Sequence, residues 1–172
     1  MTPPELAGRE LRVLVGEIAT VREVLGRLRD ELARSDPGAG AEPPRDRLAL
    51  LAVDLHSWST ALESLLLRIL AAFEGPPPAG DSSHALVLRA ALRDVEGVRP
   101  AILASAHRED LDEIRRFRHF FRHAYALDLR YDKMRPSLAA VLARGADVDA
   151  DLARFVEHVR RLIADIDARP RP

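Results

Sequence analysis

The sequence predicts an all-α, up-and-down bundle of about five helices, organised as a single domain over residues 1–172. Three observations lead there. Apolar residues recur at alternating steps of three and four through long segments, the spacing that keeps a stripe on one helix face. Proline- and glycine-rich punctuation separates those segments. No stretch alternates apolar and polar residues with β-branched enrichment, and no repeat with a period of 20–50 residues is present.

The first helix carries Leu11, Leu14, Ile18, Val21, Leu25, Leu28 and Leu32 on one face and stops at Ser35-Asp36-Pro37-Gly38-Ala39-Gly40. The second opens near Arg45, repeats the rhythm with Leu48, Leu51, Leu55, Trp58, Leu62, Leu65 and Ile69, and ends at Gly75-Pro76-Pro77-Pro78. Two such stripes joined by a short loop form an antiparallel hairpin that needs further helices to cover it. A third helix is expected to run from N-cap oxygens at Asp81, Ser82 and Ser83 to about Val95, before Gly97 and Pro100 interrupt it. A fourth is expected to be capped by Ser105, with Glu109, Asp110, Asp112 and Glu113 early and arginines late, both favourable with the helix dipole. Asp128 to Pro136 reads as a turn and restart. The last helix then spans about Pro136 to Ala168, with a candidate break at Gly145 and Leu152, Phe155, Val159, Leu162 and Ile166 facing inward.

A chain of 172 residues suits one core, since a domain of about 150 residues buries roughly 70% of its unfolded surface. With 47% apolar and 31% charged residues it is neither a disordered tail nor a membrane protein. The absence of cysteine excludes disulfides, thiolate catalysis and Cys-based zinc sites and agrees with a cytoplasmic location. No signal peptide or membrane span is expected.

Formal net charge is only −1, yet Arg115, Arg116, Arg118, Arg122, His119 and His123 fall within nine residues. Arg115 and Arg116 have helical partners in Asp112 and Glu113. Arg118, Arg122 and His123 have no Asp or Glu three or four positions away. Their donors are therefore left for a ligand, and phosphate matches a guanidinium best.

In that segment Arg118-x4-His123-x-Tyr125 resembles the Arg-x4-His-x-Tyr signature of the HEPN (higher eukaryotes and prokaryotes nucleotide-binding) superfamily, specifically its HepT-like ribonuclease toxins. The long hairpin, then Gly97-Val98-Arg99-Pro100, then Arg116 to Tyr125 extend the resemblance over most of the chain. It implies a HEPN-like bundle and a metal-independent, cofactor-free endoribonuclease toxin of a toxin–antitoxin pair. Its site would form where two motif helices meet across a homodimer interface. RNA, with tRNA as one candidate, is the implied substrate and a nucleotidyltransferase antitoxin the implied partner. The resemblance assigns Arg118 as phosphate and transition-state clamp, His123 as general base or acid, and Tyr125 as the acceptor of AMP from the antitoxin. Arg122 and His119 are auxiliary phosphate contacts, Arg122 on charge alone.

Other readings stand beside this one. Arg118 and His123 can form a solvated basic face, and the chain a non-catalytic helical module that binds nucleotide or docks on a nucleotidyltransferase. His119 and His123 share the spacing of two metal ligands one turn apart, but the glutamate of a His-Glu-x-x-His helix is missing and Arg122 would repel a cation, so no metal site is assigned. Phe117, Phe120 and Phe121 read as core or dimer-interface anchors. Trp58 reads as packing, with Asp54, His56 and Glu63 as surface residues and Asp54 or Glu63 as alternative supports for the motif. His84, His107 and His158 belong to no visible constellation.

Overall fold

In a computed structural model, residues 3–38, 41–75, 83–122 and 129–169 are described. Helix α1 spans Pro3–Ser35, α2 Arg45–Glu74, α3 Ser83–Ala91, α4 Arg108–Arg122 and α5 Tyr131–Asp167, and a single 3-10 turn, Ser105–His107, leads into α4. No strand occurs among the described residues, so the chain folds as an all-α bundle, as expected. Among them no helix is long and apolar enough to cross a membrane.

The long helices run antiparallel, and bidentate pairs set their register. Arg12 holds both carboxylate oxygens of Asp167 at 2.7 Å, and Arg22 holds those of Asp149 at 2.7 and 2.8 Å, which aligns α1 with α5. Arg68 of α2 reaches Glu17 of α1 at 2.9 Å. The expected stripes form the core: Leu14, Ile18, Leu25, Leu28 and Leu32 meet Leu51, Leu55, Trp58, Leu62 and Ile69, closed from below by Leu138, Val141, Val148, Leu152, Phe155 and Val159. Full burial of each large aliphatic side chain stabilises by about 1.5–3 kcal/mol, and Phe155 adds an edge-on contact with Phe73 at 5.6 Å.

Three boundaries differ from those expected. α5 begins at Tyr131, not Pro136, and continues through Pro136 and Gly145. Pro136 removes one amide from the second turn, a loss the helix tolerates because Tyr131 and Ser137 are tied to neighbouring segments. Gly145 is a point of close approach: a Cβ there would lie 2.8 Å from Arg29 Cδ on α1. α3 ends at Ala91, short of Val95. The N-cap candidates Asp81 and Ser82 lie outside the described residues.

Arg99 accounts for the early end of α3. Only 3% exposed, its guanidinium uses all five N–H groups. Nε and Nη2 donate to Glu74 Oε1 at the end of α2. Nη2 also donates to Ala90 O at 2.9 Å, and Nη1 to Arg93 O at 3.1 Å and Pro100 O at 3.0 Å. Carbonyls that a longer α3 would use internally are thus spent on a side chain. Gly97, at φ +72°, turns the chain so that Val95 and Arg99 pair. Arg99→Met should lower unfolding stability by about 3 kcal/mol, because it strands a carboxylate and several carbonyls. Urea unfolding of the variant checks this, and a loss below 1 kcal/mol would refute the clamp.

Asp54 and Glu63, expected at the surface, are buried. Asp54 faces α1, where burial first, and then Glu31, push its carboxyl above the usual range while Arg27 pulls it back. A carboxyl whose pKa is raised by folding favours the folded state at low pH and loses that contribution as pH rises. Asp54→Asn should therefore stabilise the protein at pH 7, with the gain shrinking as pH falls and the carboxyl takes up its proton. Thermal unfolding at pH 7 and at acidic pH measures the difference.

Candidate functional site: the end of helix α4

The start of α4 is fixed by a carboxylate from another helix. Asp151 of α5, 5% exposed, accepts from Ala104 N–H at 2.6 Å, from His107 Nε2 at 3.1 Å and from Arg154 Nη1 at 2.6 Å. As an ionised carboxylate only accepts, the proton of His107 sits on Nε2, and His107 Nδ1 is buried with no hydrogen-bond partner among the described residues. Ser105, expected as the cap, lies exposed in the 3-10 turn, and Asp151 instead holds the backbone just before that turn. His107, without a visible constellation in the sequence, is part of this buried dyad, and a separation of 44 residues explains why no local pattern revealed it.

Further along, Arg144 Nε donates to Asp110 Oδ2 at 2.7 Å, and Ser137 Oγ lies 3.2 Å from both the carbonyl and Oε1 of Glu113. The two helices therefore run antiparallel, with the last turn of α4 level with the first turn of α5. The expected ion pairs form within α4: Arg115 to Asp112 at 3.3 Å and Arg116 to Glu113 at 2.9 Å. Asp110, Asp112 and Glu113 are all engaged by these contacts before the motif begins.

Arg118, His119 and Arg122 follow on the last turn and a half of the helical backbone, and this placement is what the structure describes of them. His123 and Tyr125 lie outside the described residues. Phe117 is core, 4% exposed, and stacks at 5.9 Å on Phe121. Phe121 in turn lies 4.8 Å from the His56 ring at an interplanar angle of 33°. His56, expected at the surface, thereby joins the middle of α2 to the end of α4.

Trp58 is packing, as expected, at 1% exposed. With Ser59, Leu62, Glu63, Leu111 and Arg115 it lines a cavity of about 20 Å³ between α2 and α4, room for one water and no ligand. Glu63 thus faces α4, whereas Asp54 faces Glu31 and Arg27 of α1. Among the described residues no group of three or more His, Asp or Glu is arranged to hold a metal ion.

No curated protein and no solved structure matches the chain. A family model described as HepT-like protein matches residues 50–159, from the second turn of α2 to deep in α5, so that it takes in all of α4 and the Arg118 to Tyr125 segment while leaving α1 outside. With almost two thirds of its length matched in this way, the chain belongs to the HepT-like family of the HEPN superfamily.

Proposed function

We propose that this protein is a metal-independent endoribonuclease toxin that cleaves RNA at a site assembled across a homodimer from Arg118 and His123. One observation carries the reading. The HepT-like match includes α4 and the sequence Arg118-x4-His123-x-Tyr125, which opens on the last turns of that helix, after Asp110, Asp112 and Glu113 have been engaged by Arg144, Arg115, Arg116 and Ser137.

RNA brings its own nucleophile in the 2′-hydroxyl. Cleavage needs a base for its proton, positive charge on the phosphorane and an acid for the leaving 5′-oxygen. Histidine titrates near pH 6.5 and serves as base or acid, while arginine holds two phosphate oxygens at once. His119 and Arg122 are auxiliary contacts on the same segment. On a continuous helix, five residues place His123 about 140° around the axis from Arg118 and about 7.5 Å along it. One helix does not aim both at one phosphate; two helices across a twofold axis do.

The partner in this reading is a nucleotidyltransferase antitoxin. Tyr125 Oη attacks the α-phosphorus of ATP, pyrophosphate leaves, and the tyrosine carries AMP. The added phosphate charge repels RNA and occupies the arginines.

With chelator present the protein should cut RNA. Arg118→Ala and His123→Ala should each slow cleavage by roughly 100-fold or more while shifting stability by less than about 0.5 kcal/mol. Undiminished cleavage by either variant sinks the assignment, and failure of the native protein to cut any RNA favours a non-catalytic nucleotide-binding or docking module. If each histidine meets the other subunit's arginine, mixing the two inactive variants should recover about a quarter of native activity, because half the dimers then hold one intact site. No recovery after verified subunit exchange speaks against that composite site.

Incubation with the cognate nucleotidyltransferase and ATP should place adenylyl groups on Tyr125 and silence the nuclease, with Tyr125→Phe escaping the modification. Mass spectrometry of co-expressed protein reads it out. Adducts on another residue, or silencing of the Phe variant by the same route, rule this regulation out.

A further inference from the structure

The loop after α1 and the first turns of α5 enclose an open depression of about 460 Å³, lined by Asp36, Gly38, Tyr131, Arg135, Pro136 and Ala139. Its floor is locked. Tyr131, 4% exposed, donates its hydroxyl to Asp36 Oδ1 at 2.5 Å, and the same oxygen accepts Gly38 N–H at 3.0 Å. Gly38 closes the loop at φ +81°, a region that costs glycine little.

Arg135 stands exposed at this depression with no hydrogen bond or ion pair among the described residues. Elsewhere on α5, Arg144, Arg154 and Arg160 each hold a carboxylate. The register of α4 on α5 puts the depression at the end of the bundle where α4 finishes with Arg118 and Arg122. From Arg115 to Arg135 the sequence has seven Arg or Lys against two Asp, in a chain of net charge −1.

The size falls in the range of small-ligand sites, about 300–1,000 Å³, and the lining divides by chemistry. Arg135 offers a fork for one phosphate. Pro136 and Ala139 offer an apolar face, and Asp36 keeps a second carboxylate oxygen free of the Tyr131 and Gly38 bonds to accept from an amino group. Asp36 and Glu42 both act on Tyr131, which disfavours a polyphosphate and suits a unit carrying one phosphate and a base.

We propose that this depression is a subsite for one nucleotide of the RNA strand, flanking the cleaved bond, with its phosphate on Arg135 and its base against Pro136 and Ala139. The proposal rests on the nuclease reading for its substrate but is tested without cleavage. A single-stranded 2′-O-methyl oligoribonucleotide lacks the nucleophile, so its binding to the uncut full-length protein is measurable by fluorescence anisotropy across a salt series. Arg135→Ala should weaken binding about fivefold and lower the slope of log affinity against log salt by about 0.7, one single-strand phosphate contact. Ala139→Phe, at an exposed helical position, should weaken binding by filling the depression while leaving the slope unchanged. Arg161→Ala, about 39 Å away along α5, should bind as the native protein does.

Native-like affinity in both subsite variants overturns the subsite, and if the native protein still cuts RNA the nuclease reading survives it. A loss in Arg161→Ala equal to that in Arg135→Ala reduces the effect to bulk charge and also overturns it, as does failure of the native protein to bind the oligonucleotide. Binding that depends on Arg135 and Ala139 in a protein that cuts no RNA keeps the subsite and removes the nuclease.

Discussion

The docking of α4 on α5 is the constraint on which the candidate site depends, and Asp151 is its anchor. One buried carboxylate accepts from the backbone before α4, from His107 and from Arg154. Removing a partner from such a node leaves buried polar groups bare, at a cost well above the net value of an ordinary hydrogen bond. Asp110 with Arg144 and Glu113 with Ser137 extend the same register along the helix. Where α4 ends, and which turn of α5 it ends beside, follow from these contacts.

The same contacts distribute charge. α4 begins acidic and finishes basic, and three of its four carboxylates, Asp110, Asp112 and Glu113, are engaged by Arg144, Arg115, Arg116 and Ser137 before the Arg118 position is reached. A chain that is nearly neutral overall thus gathers arginines in the segment that closes α4.

Support from α2 completes that end. His56 on Phe121, and Phe121 on Phe117, join the middle of the second helix to the motif helix through packed rings. Arg99 does the corresponding task at the other end, tying α2 to the turn that leads towards α4. The motif helix is thereby held at both ends by residues that take no part in the proposed chemistry.

The helical class, the paired stripes of α1 and α2 and the inward face of α5 were legible because burial on one helix face imposes a three-four period that local sequence must obey. The ion pairs of Arg115 and Arg116 were legible for the same reason, since partners three residues apart share a face. Arg118, His123 and Tyr125 were legible as a spacing and a resemblance, and the family match confirms the family while leaving their chemistry to experiment. The Asp151 node, the Arg99 clamp, the burial of Asp54 and Glu63 and the continuity of α5 through Gly145 were decided only by the tertiary structure. Each depends on residues distant in sequence, where a polar side chain is buried or a glycine is needed because of what another helix brings to it, and no local periodicity encodes that meeting.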